Sequence, residues 1–152
     1  MTRLSSAFGN TGALRVKSFE LGGHLFKVRI PLTKELEEMN RRIEDVPQAE
    51  LDARYQKMTS AFRDGDKIEG IEITDDDVIV DGRSSRELAS SAIKIERRIV
   101  ELFSLLVPEN GTLEGLTYQE IEEEFPFSVQ VEMIGKISDA IQPGFKEQRK
   151  NS

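Results

Sequence analysis

Apolar residues at helical spacing between Ser84 and Val107 constrain this chain more than any other stretch, with Leu88, Ala92, Ile95, Ile99, Leu102 and Leu106 returning at steps of four and three. One face of a helix this long must be buried. Ser84 stands three residues before Glu87, the spacing of a capping box, and Ser85 is the competing cap. Beyond Ile99 the pattern thickens into Val100, Leu102, Phe103, Leu105, Leu106 and Val107 before Pro108 stops the helix. That is wider than one stripe, so the C-terminal half of the helix is the expected centre of the core.

The flanking segments supply elements to pack on it. Lys17–Leu21, Gly22-Gly23 and His24–Ile30 predict a hairpin, with Phe19, Leu21, Phe26, Val28 and Ile30 alternating with polar neighbours. Thr33 caps an expected helix over Lys34–Asp45 with Leu36, Met39 and Ile43 inward; Pro47 then opens another over Gln48–Arg63 with Leu51, Tyr55, Met58 and Phe62 inward. Asp64-Gly65-Asp66 closes that helix. A second hairpin is expected from Ile68, Ile71 and Ile73 through an acidic turn to Val78, Ile79 and Val80. Thr117 and Glu120 form a capping box for a short helix to Phe125. Ser128 is the expected cap of a last helix to Ile141, with Val131, Ile134, Ile137 or Ser138, and Ile141 inward and Phe127 as a staple. The fold class is therefore α+β: a mostly α-helical single domain over 17–141 with one or two small β-hairpins and a long central helix. Residues 1–16 are read as a flexible N-terminal arm, whose apolar members are too sparse to define an element, and 142–152 as a flexible C-terminal tail.

Composition removes several classes of function. The net charge of −7 comes with basic residues interspersed among acids, a poor match to the clustered cations that bind nucleic acid. With no cysteine there is no disulfide, thiolate metal site or thiol nucleophile. No segment approaches the roughly 18 apolar residues of a membrane span, and no signal peptide is evident, so a soluble, unexported protein without membrane partners is expected.

No catalytic constellation emerges from the residues. Asp75-Asp76-Asp77 offers consecutive carboxylates where a calcium loop needs alternating ligands, so a solvated hairpin tip is the better reading, and neither metal nor cofactor is expected. His24, the single histidine, has no Asp, Ser or Cys at a diagnostic spacing and reads as an exposed turn residue. Glu122-Glu123-Glu124 reads as the wet face of a helix in a chain without tryptophan, and Arg41-Arg42 and Arg97-Arg98 as members of intrahelical ion pairs.

Three parts taken together resemble the tail assembly chaperones of long-tailed, siphovirus-type bacteriophages: the hairpin feeding a helix (Phe19-Glu20-Leu21-Gly22-Gly23 and Val28-Arg29-Ile30-Pro31-Leu32-Thr33), the long central helix, and the closing Leu116-Thr117-Tyr118-Gln119-Glu120-Ile121-Glu122-Glu123-Glu124-Phe125-Pro126-Phe127-Ser128. The resemblance spans Lys17 to Ile141. It implies a non-enzymatic protein of the host cytoplasm that binds the tape measure protein, helps recruit tail tube subunits and is absent from the mature virion. A holdase of this kind needs apolar contact surface, and the surplus apolar residues Phe103, Leu105 and Val100 of the central helix, with Val129 and Met133 of the last, are the candidate partner-binding residues. Core filling and self-association are the competing uses of the same side chains. The resemblance further implies a programmed −1 ribosomal frameshift near the C-terminus, for which the Lys150-Asn151 codons are a candidate slippery site. The alternative function is that of a structural virion component such as a head-tail connector or tail completion protein.

Overall fold

A computed structural model describes residues 2–9, 11–60, 70–74 and 76–142 and shows an α+β fold in which helices dominate, with two small antiparallel sheets. The chain divides into two compact units: one combines the residues up to Met39 with those from Ile99 onward, and the other is Asn40–Arg98.

In the first unit, Gly22 and Gly23 adopt positive φ of 61° and 81°, the backbone a two-residue hairpin turn requires, and join β1 (Val16–Leu21) to β2 (His24–Arg29) as the expected hairpin, with Phe19 opposite Phe26. A helix, α1 (Arg3–Phe8), precedes the hairpin where an arm without elements was expected. Thr2 and Ser5 cap it reciprocally, and it buries no residue, so local hydrogen bonding makes it without help from a core. A 3-10 turn over Gly12–Arg15 follows. After β2, helix α2 (Thr33–Glu44) presents Glu35 to two cations, Arg15 at 2.8 Å and Arg29 at 2.7 Å, and the carboxylate also accepts from the Leu32 amide. The Arg29 bond holds the Glu35 carboxyl below its ordinary value against the opposing effect of desolvation.

The long helix, α4 (Ser85–Phe103), ends four residues sooner than its apolar pattern predicts. Pro108 disfavours helical backbone at Val107, and the chain turns extended instead. Leu106 bridges Val28; the Arg29 amide donates to the Leu105 carbonyl at 2.8 Å and the Val107 amide to the Lys27 carbonyl at 2.8 Å. Leu105–Val107 thus lies along β2 as a fragment of a third strand. Helices α5 (Tyr118–Glu124) and α6 (Phe127–Ile141) complete this unit, α5 opening on the expected Thr117–Glu120 capping box and α6 packing against both strands of the hairpin. Val28, Ile99, Leu102, Phe103, Leu105, Ile121, Met133 and Ile137 are its buried apolar residues, together with Met39 of α2.

The inward face of α6 is shifted from the expected one. Ile137 is buried as expected, but its companions are Gln130 and Met133; Val131 is 46% exposed, Phe127 is 57% exposed and does not act as a staple, and Pro126, not Ser128, occupies the N-cap position. A polar residue on the buried stripe hid the true phase.

In the second unit, α3 (Gln48–Thr59) buries Tyr55 and Thr59, β3 (Ile71–Ile73) pairs with β4 (Val78–Val80), and β4 with the two-residue β5 (Arg83–Ser84). Tyr55, Val78 and Ala89 form one buried cluster, with Ile71 and Val80 packed against it, and Ile43 and Ile93 are buried as well. Here too the buried side of α4 is not the predicted stripe: Ala89 and Ile93 face inward, whereas Leu88 and Ile95 are 36% and 46% exposed. The next inward position, Glu96, receives both guanidinium nitrogens of Arg54 at 2.5 and 2.8 Å, so an ion pair stands where periodicity calls for a hydrophobe. Arg97 likewise pairs with Glu50 at 2.6 Å and donates to the Arg42 carbonyl at 2.7 Å. It therefore bridges elements where an intrahelical pair was expected. Met58 is 36% exposed. Phe62, Asp64-Gly65-Asp66, Ile68, Asp75 and the segment containing Lys150-Asn151 lie outside the described residues.

Asp77 is not a solvated hairpin tip. Its carboxylate accepts from the Ser84 hydroxyl and from the amides of Val78 at 2.8 Å and Arg86 at 3.2 Å, while Ser84 accepts from the Glu87 amide at 3.2 Å. The acid of the β3–β4 turn shares the N-cap of α4 with the expected serine, and Arg86 stacks over the Tyr55 ring at 4.0 Å. Desolvation raises the Asp77 carboxyl, but the bonds from Ser84, Val78 and Arg86 outweigh it and leave the group below its ordinary value of 3.8. The folded state therefore binds this proton less readily than the unfolded state, and the stabilisation is present above the unfolded pKa and lost as pH falls through the folded one. Asp77→Ala should lower stability by about 1 kcal/mol at neutral pH, as loss of a helix cap does. In denaturant titrations the difference from the parent protein should begin to narrow below pH ~4, where the unfolded state takes up the Asp77 proton, and shrink further as the folded state is protonated in turn. An unchanged midpoint at pH 7 would remove Asp77 from the cap.

Candidate partner-binding groove

The face of the hairpin that meets α6 is built by strand alternation. Phe19, Leu21, Phe26 and Val28 point to one side of the ribbon, and Phe19 and Phe26 stack at 5.4 Å between ring centroids. His24, exposed at the start of β2, tilts onto Phe26 at 4.5 Å. On the opposite side stand Phe125, ahead of α6, and α6 itself.

Between them lies a groove of about 480 Å³ lined by Leu21, Gly22, His24, Phe26, Phe125, Val129, Glu132 and Met133. Phe125 is fixed from two directions: its ring meets Phe103 edge-on at 5.6 Å, and its carbonyl accepts from the Gln130 amide nitrogen at 2.8 Å. Gln130 is only 1% exposed, and its oxygen accepts from the Tyr118 hydroxyl at 3.0 Å. The buried amide is satisfied on both sides and ties α5, the Phe125 corner and α6 together. A second cleft, about 610 Å³, shares His24 and Phe26 and continues past the hairpin over Leu25, Lys27, Leu106, Val107, Pro108, Glu109 and Leu113.

The structure separates the five candidate contact residues. Val129 is half-buried and lines the groove; Met133 has no exposed surface and backs its floor. Phe103 and Leu105 are buried at 3% and 6% exposure, in contact roles within the unit, and Val100 is half-buried. Thus α6 contributes to the groove while the end of α4 supports the residues behind it. Leu21, His24, Phe26, Phe125 and Glu132 were absent from the sequence-based set. The alternation of the hairpin was the available signal for Leu21 and Phe26; nothing in the sequence placed Phe125 or Glu132 opposite them.

Chemically the groove offers apolar surface with a carboxylate and an imidazole at its margin. Among the described residues no group of three or more His, Cys, Asp or Glu side chains is arranged to hold a metal ion. No helix is long and apolar enough to cross a membrane among those residues. No known protein family, characterised protein or solved structure matches the chain.

Gln130→Ala removes a donor and an acceptor from a buried site and leaves the Phe125 carbonyl without its amide partner. The cost should be about 1–3 kcal/mol in a denaturant titration. A variant as stable as the parent would show that the amide is not what holds the groove wall.

Proposed function

We propose that this protein is a tail assembly chaperone of the long-tailed phage type, a non-enzymatic protein that binds the tape measure protein in the host cytoplasm, helps recruit tail tube subunits and does not remain in the mature virion. The observation that carries the reading is the apolar groove bounded by Val129 and backed by Met133. A chaperone for long apolar helices must offer such surface, and the net charge of −7 counters self-association of the unloaded protein. The three-part sequence resemblance suggests the partner, and the apolar groove supports the reading.

Co-expression with the tape measure protein should keep the latter in the soluble fraction, and Val129→Glu should lose this while retaining the parent circular dichroism spectrum. Tape measure solubility that is indifferent to the protein would remove the proposal. Mass spectrometry of purified particles gives an independent reading, since detection at structural stoichiometry would assign the chain to the virion as a connector or completion protein.

The same proposal carries the −1 frameshift. The nucleotides encoding Arg149 to Asn151 should form a slippery heptamer, and immunoblots of infected cells should show a minor, longer product. A non-slippery codon choice there would dispose of frameshifting at this position and leave an unfused chaperone.

A further inference from the structure

The lining of the first groove also specifies the chemistry of what enters it. We infer that the groove receives the apolar edge of an amphipathic helix carrying a Lys or Arg beside its apolar residues, and that Glu132 meets that cation. The inference rests on the chaperone reading for the identity of the partner but not for the chemistry of the site.

Two observations carry it. First, the groove lies on the face of the β1–β2 ribbon and not along an edge, so its walls are the side chains of Leu21, Phe26, Phe125 and Val129. An extended segment placed there would find no ladder of backbone donors and acceptors, whereas a helix satisfies its own backbone and needs only apolar side chains to pack against. Second, Glu132 brings the one carboxylate of the lining, and among the described residues it holds no ion pair. A carboxylate at the margin of an apolar surface is desolvated when the groove fills, and a cation on the incoming helix compensates that loss; an acidic or purely apolar helix does not. Charge therefore selects among apolar helices that the hydrophobic floor alone would accept equally.

The test uses the full chain and two synthetic helical peptides of roughly 18 residues, about five turns. One carries Leu at three- and four-residue spacing flanked by Lys; its twin has Glu in place of Lys. Isothermal titration should show binding of the Lys peptide and weaker binding of the Glu peptide. Glu132→Lys should weaken the Lys peptide by about tenfold and strengthen the Glu peptide, and Val129→Glu should weaken both, the loss expected at a central contact. Glu72→Lys, which makes the same change in net charge at an exposed position of β3, should leave both affinities unaltered. Equal weakening by Glu72→Lys, or equal binding of the two peptides to the parent protein, would overturn the inference in favour of non-specific attraction. The outcomes also separate the two proposals. Charge reversal at Glu132 that inverts peptide preference, in a protein that never solubilises the tape measure protein, keeps the groove and removes the chaperone reading. Tape measure solubility that survives both Val129→Glu and Glu132→Lys does the reverse.

Discussion

The first unit depends on the place where the long helix gives way to extended chain. Had α4 continued through Val107, as its apolar content favours, Leu105 and Leu106 would have stayed on a helical surface and the outer edge of β2 would have been open. Pro108 prevents this by disfavouring helical backbone one residue earlier. The released segment then gives the Leu105 carbonyl and the Val107 amide to β2 and buries Leu105. A two-stranded ribbon is marginal in water, so this added fragment and the packing of α6 are what give the hairpin a fixed face. The groove exists because that face is held still. Glu35 adds a second tether, joining Arg15 ahead of β1 and Arg29 at the end of β2 to the start of α2.

In the second unit the unifying constraint is polar. Around its buried apolar residues the bidentate Arg54–Glu96 pair, the Arg97 bridge to Glu50 and the Arg42 carbonyl, and the Lys94–Glu44 contact at 2.9 Å connect the helical segments. Surface pairs of this kind are individually weak, but Arg54 and Glu96 are partly shielded and geometrically matched, which places them among the stronger ones. The same unit uses Asp77 from a turn to finish a helix that a serine alone would cap less completely.

These polar devices explain which features were legible in sequence. Residues whose role is set by local chemistry were readable: Gly22-Gly23 marked the hairpin turn, Thr117 and Glu120 a helix start, and Pro47 preceded α3. Phase errors occurred where a buried stripe carries a polar member. Glu96 interrupts the Ala89–Ile93 face of α4 and Gln130 the Met133–Ile137 face of α6, so apolar periodicity favours the neighbouring Leu88–Ile95 and Val131–Ile134 positions. Both polar residues are paired with partners distant in sequence or across a corner, Arg54 for Glu96 and Tyr118 with Phe125 for Gln130. Long-range pairing of that kind leaves no periodic trace. For the candidate site, Val129 and Met133 were accessible as surplus apolar residues on the last helix, whereas their separation from Phe103 and Leu105 depended on where α4 stops.

The groove walls are each supported from behind, and this bears on how they would act in binding. Phe125 is braced by Phe103 and by the Gln130 amide, and Phe26 is flanked by Phe19 and His24. Walls braced in this way need little rearrangement to receive a partner, so in the proposed docking the entropic cost of association would fall mainly on the incoming chain. A partner segment that is already helical loses less freedom on docking than one that must fold there. In the docking mode proposed above, a preformed apolar groove would discriminate on helicity as well as on hydrophobicity, and Glu132 at its margin would add sign of charge to the same choice.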